Sequence, residues 1–299
     1  MAFRTVVISN EAELHVHSDQ LIAVQGQSYW IPLEDIAVLV LENPRIWLSS
    51  AALSLIAASG VAVAVCDDKH MPTGILLPHC RHSRQLAATR QQLAASLPQK
   101  KRLWQRLIVS KVRNQALCLQ ALDLPGAEKL EEYAGRVVSG DATGVEGTAA
   151  RYYFARLMPG VKRHSGHDPD GALDYGYAVV RAAVARALVG HGLYPAVGIH
   201  HDSQLNAFNL ADDLLEPFRP FVDLVAVREQ ASVNNKEGRM ALVSTLNAPC
   251  RIGDRQHSVL TGVEEVAASL MRAFARKDHC ELRVPALAPE DVTADCVPE

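Results

Sequence analysis

Long apolar runs are absent from this 299-residue chain. None approaches the roughly 18 residues that a membrane-spanning helix requires, so no membrane partner is expected. The first residues carry neither the basic start nor the apolar stretch of a secretory signal. C-x-x-C is missing too: the six cysteines stand apart at 66, 80, 118, 250, 280 and 296. Scattered thiols without an export signal point to reduced cysteines and a cytoplasmic location. No G-x-S-x-G elbow exists, which argues against serine hydrolysis. Gly190-His191-Gly192 lacks a third glycine and the Lys–Ser/Thr ending of a phosphate loop.

Acid is also missing where it would be expected. From Lys69 to Leu122 the chain holds no Asp or Glu. The net charge of −3 hides this asymmetry: residues 1–80 carry three Lys/Arg against eight Asp/Glu, and residues 81–299 carry 27 against 25. Within the acid-free stretch lie Arg81, Arg84, Arg90, Lys100, Lys101, Arg102, Arg106, Lys111 and Arg113. Such a run suits a polyanion partner, nucleic acid above all. The plainer alternative is a solvated basic helix face.

What is present reads as two unlike parts and a tail. Alternating or continuous β-branched segments at 5–9, 13–17, 20–24, 28–32, 36–41, 61–66 and 75–77 predict strands. One helix over 51–58 is inserted, capped by Ser49 or Ser50 and ended by Gly60. From His82 the spacing becomes helical: 83–97, interrupted by Pro98, then 100–121, where Trp104, Leu107, Ile108, Val112, Ala116 and Leu119 recur every three or four residues. Further helices are predicted over 128–139, 145–157, 173–189, 206–216, 218–230, 235–247 and 262–277, with a loop over 158–171. The fold class is therefore α+β. A small β-sandwich-like N-terminal domain (1–80) precedes a larger all-α domain (81–284) and a disordered acidic tail (285–299).

The chemistry concentrates between His200 and Asp223, which hold two adjacent histidines and five carboxylates. Phe208, Ala211 and Leu215 mark the apolar face of a helix on which Asp212 and Asp213 lie four and three residues before Glu216. Acids so placed repel one another, and a nearby cation relieves them, either a metal or a side chain such as Arg219. Pro217 disfavours a helical Glu216, so that carboxylate is expected at a helix break. Glu146, in the first turn of the 145–157 helix, is by itself an ordinary acid favoured by the helix dipole. Together with His200/His201 and Asp212/Asp213/Glu216 it completes a Glu–His–acid set that suits Mg²⁺ or Mn²⁺.

The segments E-G-T-A-A-R-Y-Y-F, G-I-H-H and N-L-A-D-D-L-L-E-P-F-R-P-F-V-D, in this order after a β-rich region and basic helices, resemble the CRISPR-associated integrase of spacer acquisition. This is the larger universal adaptation protein, in its type II form. The resemblance covers nearly the whole chain except the tail. It implies that Glu146, His201 and Glu216 bind one catalytic divalent ion, with His200, Asp212 and Asp213 as alternative ligands. It implies a metal-dependent DNA endonuclease and integrase that inserts short duplex spacers into a repeat array by 3′-hydroxyl attack. It also implies a homodimer formed through the β region and a heterohexamer with the small second adaptation protein. The type II effector nuclease extends the partner list. Arg81, Arg84, Lys100, Lys101, Arg102, Arg106, Lys111, Arg113 and Arg219 are the expected contacts to double-stranded DNA.

Three other readings are open to the residues. His200-His201-Asp202 contains the H-x-D of an iron facial triad, though such sites sit on barrel strands. Cys66, His70, His79, Cys80 and His82 could suggest structural zinc, but their spacing fits no common finger. A nucleic-acid-binding scaffold with purely structural acids is the non-enzymatic alternative.

Overall fold

The computed structural model describes residues 2–78, 82–161 and 169–288. Arg81, His79 and Cys80 lie outside the described residues, as does most of the predicted tail.

The N-terminal region builds two four-stranded sheets. In the first, β1 (Arg4–Ile8), β5 (Ile36–Leu41) and β7 (Ala62–Cys66) run parallel, and β8 (Pro72–Leu76) closes the edge antiparallel. In the second, β4 (Gln27–Pro32), β3 (Gln20–Gln25) and β2 (Ala12–His17) form an antiparallel meander, and β6 (Ile46–Leu48) joins β2 in parallel. Helix α1 (Ser50–Ala58) is capped by the Ser49 hydroxyl, which accepts from Ala52 N at 3.1 Å. Leu14 and Leu21 of one sheet, Leu39 and Val63 of the other, and Ile56 of α1 share one apolar core.

The continuous apolar run of β5 has a structural reason. Every residue of it is buried, because Ile36, Leu39 and Leu41 face that core while Ala37, Val38 and Val40 face the helices beyond. The first sheet is thus a middle layer, and the helical apolar core continues across the predicted boundary at residue 80. A buried ion pair crosses there as well: Arg239 donates to both oxygens of Glu42, at 2.8 and 3.2 Å, and Tyr175 adds a hydroxyl at 2.9 Å.

The helical part is organised around α3 (Leu97–Ala121), against which α4 (Ala127–Arg136), α5 (Val145–Leu157) and α8 (Arg219–Arg228) pack. The break expected at Pro98 does not occur there. Helix α2 (Gln85–Leu93) ends earlier, Ser96 caps α3, and Pro98 sits in the first turn, where its missing N–H costs nothing. Helix α6 (Asp170–Gly190) lies over the first sheet, and α7 (Asn209–Leu215), α9 (Lys236–Ser244) and α10 (Val259–Arg276) complete the layer.

Two expectations need correction. The C-terminal part is not all-α: β9 (Pro249–Ile252), β10 (Arg255–Ser258) and β11 (Ala286–Leu287) form a three-stranded sheet. These strands are short and polar on one side, so their alternation is too brief to stand out from loop. Nor does the chain leave the fold at residue 285. The Pro285 carbonyl accepts from Ser110 Oγ at 2.7 Å and Asn114 Nδ2 at 3.1 Å, and Leu287 N donates to Asn114 Oδ1 at 3.0 Å.

Candidate functional site

Glu146 enters the site from the first turn of α5. Gly144 precedes that helix in a left-handed conformation, φ +65°, and provides no side-chain cap. Asp141 fills the role from further back, accepting from Val145 N at 2.9 Å and Glu146 N at 3.0 Å. Glu216 comes from the junction between α7 and α8. Helix α7 stops at Leu215, and Glu216 opens a 3-10 turn, Glu216–Phe218, before α8. The expected break at Pro217 is therefore a tightening of the helix, with Glu216 still in the right-handed helical region.

These two carboxylates converge on one cation, the ammonium of Lys111. Its Nζ hydrogen-bonds Glu146 Oε1 and lies 2.5 Å from Glu216 Oε2. Arg219 Nε holds the other Glu216 oxygen at 2.9 Å. Burial alone would raise the Glu216 pKa, but the charges of Lys111 and Arg219 outweigh it and hold it at about 2. Burial alone would likewise lower the Lys111 pKa, and the charges of Glu216 and Glu146 instead lift it above the usual lysine value.

The histidine turn lies beside them, and Asp213 builds it. Its carboxylate accepts from the backbone N–H groups of Ile199 (2.5 Å), His200 (3.1 Å) and His201 (3.1 Å), and lies 2.8 Å from His201 Nδ1. The Asp213 bond, working against burial, raises the His201 pKa. Gly198 is required at this point, since a Cβ there would sit 2.0 Å from the His201 carbonyl oxygen. Lys100 Nζ holds the Gly198 carbonyl from α3 at 3.2 Å.

The two histidines are placed differently. His200 stacks on Trp104, ring centroids 4.2 Å apart and nearly parallel, whereas His201 meets Trp104 edge-on and has Nδ1 tied to Asp213. Asp212 turns to Asn206 Nδ2 (2.7 Å) and Arg181 (3.8 Å). The three acids of the α7 segment thus serve three different partners.

The donor set fits a hard divalent ion in its chemistry: two carboxylates already gathered on one positive charge, next to an imidazole oriented by a carboxylate. Among the described residues, only Asp278, His279 and Cys280 bring three metal-ligating atoms within 4.8 Å of one another, and that tripeptide, with His279 half-buried, was not predicted. Glu146, His201 and Glu216 are not drawn that tightly together. Neither the iron nor the zinc reading gains a cluster among the described residues.

The expected DNA contacts divide. Arg84, Lys101, Arg102 and Arg113 are exposed. Lys111 is buried between acids, Arg106 donates to the Leu282 carbonyl at 2.8 and 3.2 Å, Lys100 serves the histidine turn, and Arg219 serves Glu216. Lys111 is therefore a correction to the predicted interface. The missed signal was its position on the apolar stripe of α3, seven residues after Trp104 and four after Leu107. Asp213 as the anchor of the turn and Asp141 as the cap of α5 were also missed. An acid four residues before a helix start was the available cue for Asp141.

Comparisons with known proteins bear on the family and the fold. The family model described as "CRISPR associated protein Cas1" matches residues 5–242. A "CRISPR-associated endonuclease Cas1" of Neisseria meningitidis serogroup C (strain 8013) is 37% identical over 300 residues, covering 97% of this chain and 98% of that protein. Among solved structures, a casposase bound to integration product superimposes with a TM-score of 0.74 at 19% identity, covering 98% of this chain and 96% of the other. A Cas6-RT-Cas1–Cas2 complex gives a TM-score of 0.72 at 16% identity, covering 96% of this chain and 36% of that one. With most of its length matched by the family model and nearly all of it by a named relative, the chain belongs to the CRISPR-associated Cas1 endonuclease family.

Proposed function

We propose that this chain is a divalent-metal-dependent DNA integrase and endonuclease that joins short duplex spacers to a CRISPR repeat array. The observation that carries the reading is the convergence of Glu146 and Glu216 on one cation beside His201. Glu146, His201 and Glu216 would hold Mg²⁺ or Mn²⁺, which supplies charge neutralisation at phosphoryl oxygens and a lowered pKa for a bound hydroxyl. In integration the 3′-hydroxyl oxygen of the spacer bonds to a repeat phosphorus, the bond from that phosphorus to the neighbouring 3′-oxygen breaks, and that oxygen leaves with a proton. Water in place of the hydroxyl gives cleavage.

This chain's own residues set the stage for that step. Asp213 fixes the His201 ring and leaves Nε2 facing outward from the bond. Asp141 and the α5 dipole orient Glu146, and Arg219 orients Glu216. None of these groups reads sequence, so phosphate contacts from Arg84, Lys101, Arg102 and Arg113 would hold the duplex.

The partners follow the family. The casposase is bound to an integration product, and the Cas6-RT-Cas1–Cas2 complex supports pairing with the small second adaptation protein; the heterohexamer is what the family resemblance implies. A homodimer through the β region is consistent with Tyr29, Trp30 and Trp47, which are exposed on the second sheet. Contact with a type II effector nuclease and a cytoplasmic location complete the proposal. No helix among the described residues is long and apolar enough to cross a membrane.

The test is strand transfer from a 3′-hydroxyl duplex into repeat DNA with Mn²⁺. Wild-type protein should give joined product, and E146A, H201A and E216A should each lose it while remaining folded. Full activity in any of the three folded variants rejects the assignment. Tight DNA binding with no joining or cleavage by the wild type points instead to a scaffold, whose acids Lys111 and Arg219 simply neutralise.

A further inference from the structure

Lys111 has no part in the chemistry just proposed, yet it occupies the centre of the site. Its side chain is only 8% exposed, and its ammonium hydrogen-bonds both Glu146 and Glu216. The stem is held by α3, whose neighbouring positions Trp104, Leu107, Ile108 and Val112 are all buried. The two carboxylates expected to share a divalent ion are thus already bridged by a monovalent one. Arg219 takes Glu216 Oε1, so the oxygen that Lys111 covers is Oε2.

The charges balance as they stand: Glu146 and Glu216 against Lys111 and Arg219. A divalent ion added beside these four groups would crowd further positive charge against an ammonium only 8% exposed, which is costly in low dielectric. A lysine without its carboxylates, or carboxylates without a cation, would be costly in the same way.

We propose that Lys111 is a resident counter-cation that competes with the divalent ion for the Glu146–Glu216 pair. It keeps the two carboxylates converged in the metal-free protein and withdraws from Glu216 Oε2 when the ion enters. It is a positioning residue rather than a catalytic one. The inference rests on the reading of Glu146 and Glu216 as metal ligands.

The experiment compares Mn²⁺ binding to the full-length wild type, K111M and K111Q, read by the electron paramagnetic resonance of free Mn²⁺, with thermal unfolding alongside. Removing the competitor should tighten Mn²⁺ binding at least tenfold. It should also lower Tm without metal and enlarge the Tm gain that Mn²⁺ produces. Adding E216Q to K111M should remove the tightening. A variant that folds only in the presence of Mn²⁺ supports the proposal equally. Folded variants that bind Mn²⁺ as the wild type does, or more weakly, overturn it and leave Lys111 a purely structural cation. Variants that stay unfolded at saturating Mn²⁺ overturn it too, because the ion has not replaced the ammonium. Mn²⁺ binding that is indifferent to Glu146 and Glu216 in every protein rejects the metal centre itself, and this proposal with it.

Discussion

Asp213 and His201 are joined side chain to side chain at 2.8 Å, and the same carboxylate gathers three consecutive backbone N–H groups of the histidine turn. One buried acid therefore sets both the path of the turn and the direction of the imidazole. D213N keeps the shape and removes the charge. It should lower the His201 pKa from its raised value toward the ordinary histidine range, which an NMR titration of the ring would read. It should also cost about 2–3 kcal/mol, since hydrogen bonds to a charged acceptor are weakened or broken. A raised imidazole pKa stabilises fully below the unfolded value of 6.5, and that stabilisation disappears as pH rises through the folded one. The stability gap between D213N and wild type should therefore be wider at pH 6 than at pH 9.

Much of this was legible in the sequence because the elements are locally encoded. Ile36–Leu41 appears as a strand since it is apolar on both faces, and α3 since its stripe repeats from Trp104 to Leu119. Glu146, the histidine pair and Glu216 were visible as residue types that fit one chemistry. What stayed hidden depends on which side chain meets which. Lys111 read as one more base in a basic run; its place on the apolar stripe of α3 turns it inward, but that it meets the α7–α8 junction there is set by packing. Asp212 and Asp213 looked equivalent, yet one is 16% exposed and faces Arg181 while the other is 0% exposed under the turn. The sheet of β9, β10 and β11 was missed because its β11 strand has two residues and pairs with a partner more than thirty positions away.

Glu42 and Arg239 form the deepest charge pair across the boundary between sheet and helices, 1% and 7% exposed. R239M strands a buried carboxylate and should destabilise by about 3–5 kcal/mol in urea unfolding. The double variant E42L/R239M should recover most of that stability, because the cost lies in the unpaired charge. A single variant no worse than the double one would show that Glu42 finds water or a proton instead.

DNA binding should separate exposed bases, among them Arg113 in its exposed pair with Glu131, from a base held by a backbone carbonyl. R84A, K101A, R102A and R113A should each lower the slope of log K against log salt by about 0.9 for every phosphate that is no longer neutralised, measured by anisotropy with a labelled duplex. R106A should leave that slope unchanged and reduce stability, since its guanidinium is spent on the Leu282 carbonyl. A slope altered by R106A alone would relocate the interface.

Glu264 provides a pH test away from the site. Arg186 reaches it from α6 while also donating to the Gly60 carbonyl at 2.8 Å, and His191 Nε2 lies 3.3 Å from its other oxygen. Burial alone would raise the Glu264 pKa, but the His191 hydrogen bond and the Arg186 charge outweigh it and leave it below the usual 4.5. A depressed carboxylate stabilises the fold above its unfolded pKa and stops doing so as pH falls through the folded one. E264Q should therefore cost about 1.5–3 kcal/mol at pH 7. The difference should hold down to about pH 4.5 and close below it as wild-type Glu264 takes up its proton. Urea melts of both proteins between pH 3 and pH 7 would follow the gap. A gap that stayed constant to pH 3 would mean that the glutamate contributes through shape and neutral hydrogen bonds, and that the Arg186 pairing carries no net charge stabilisation.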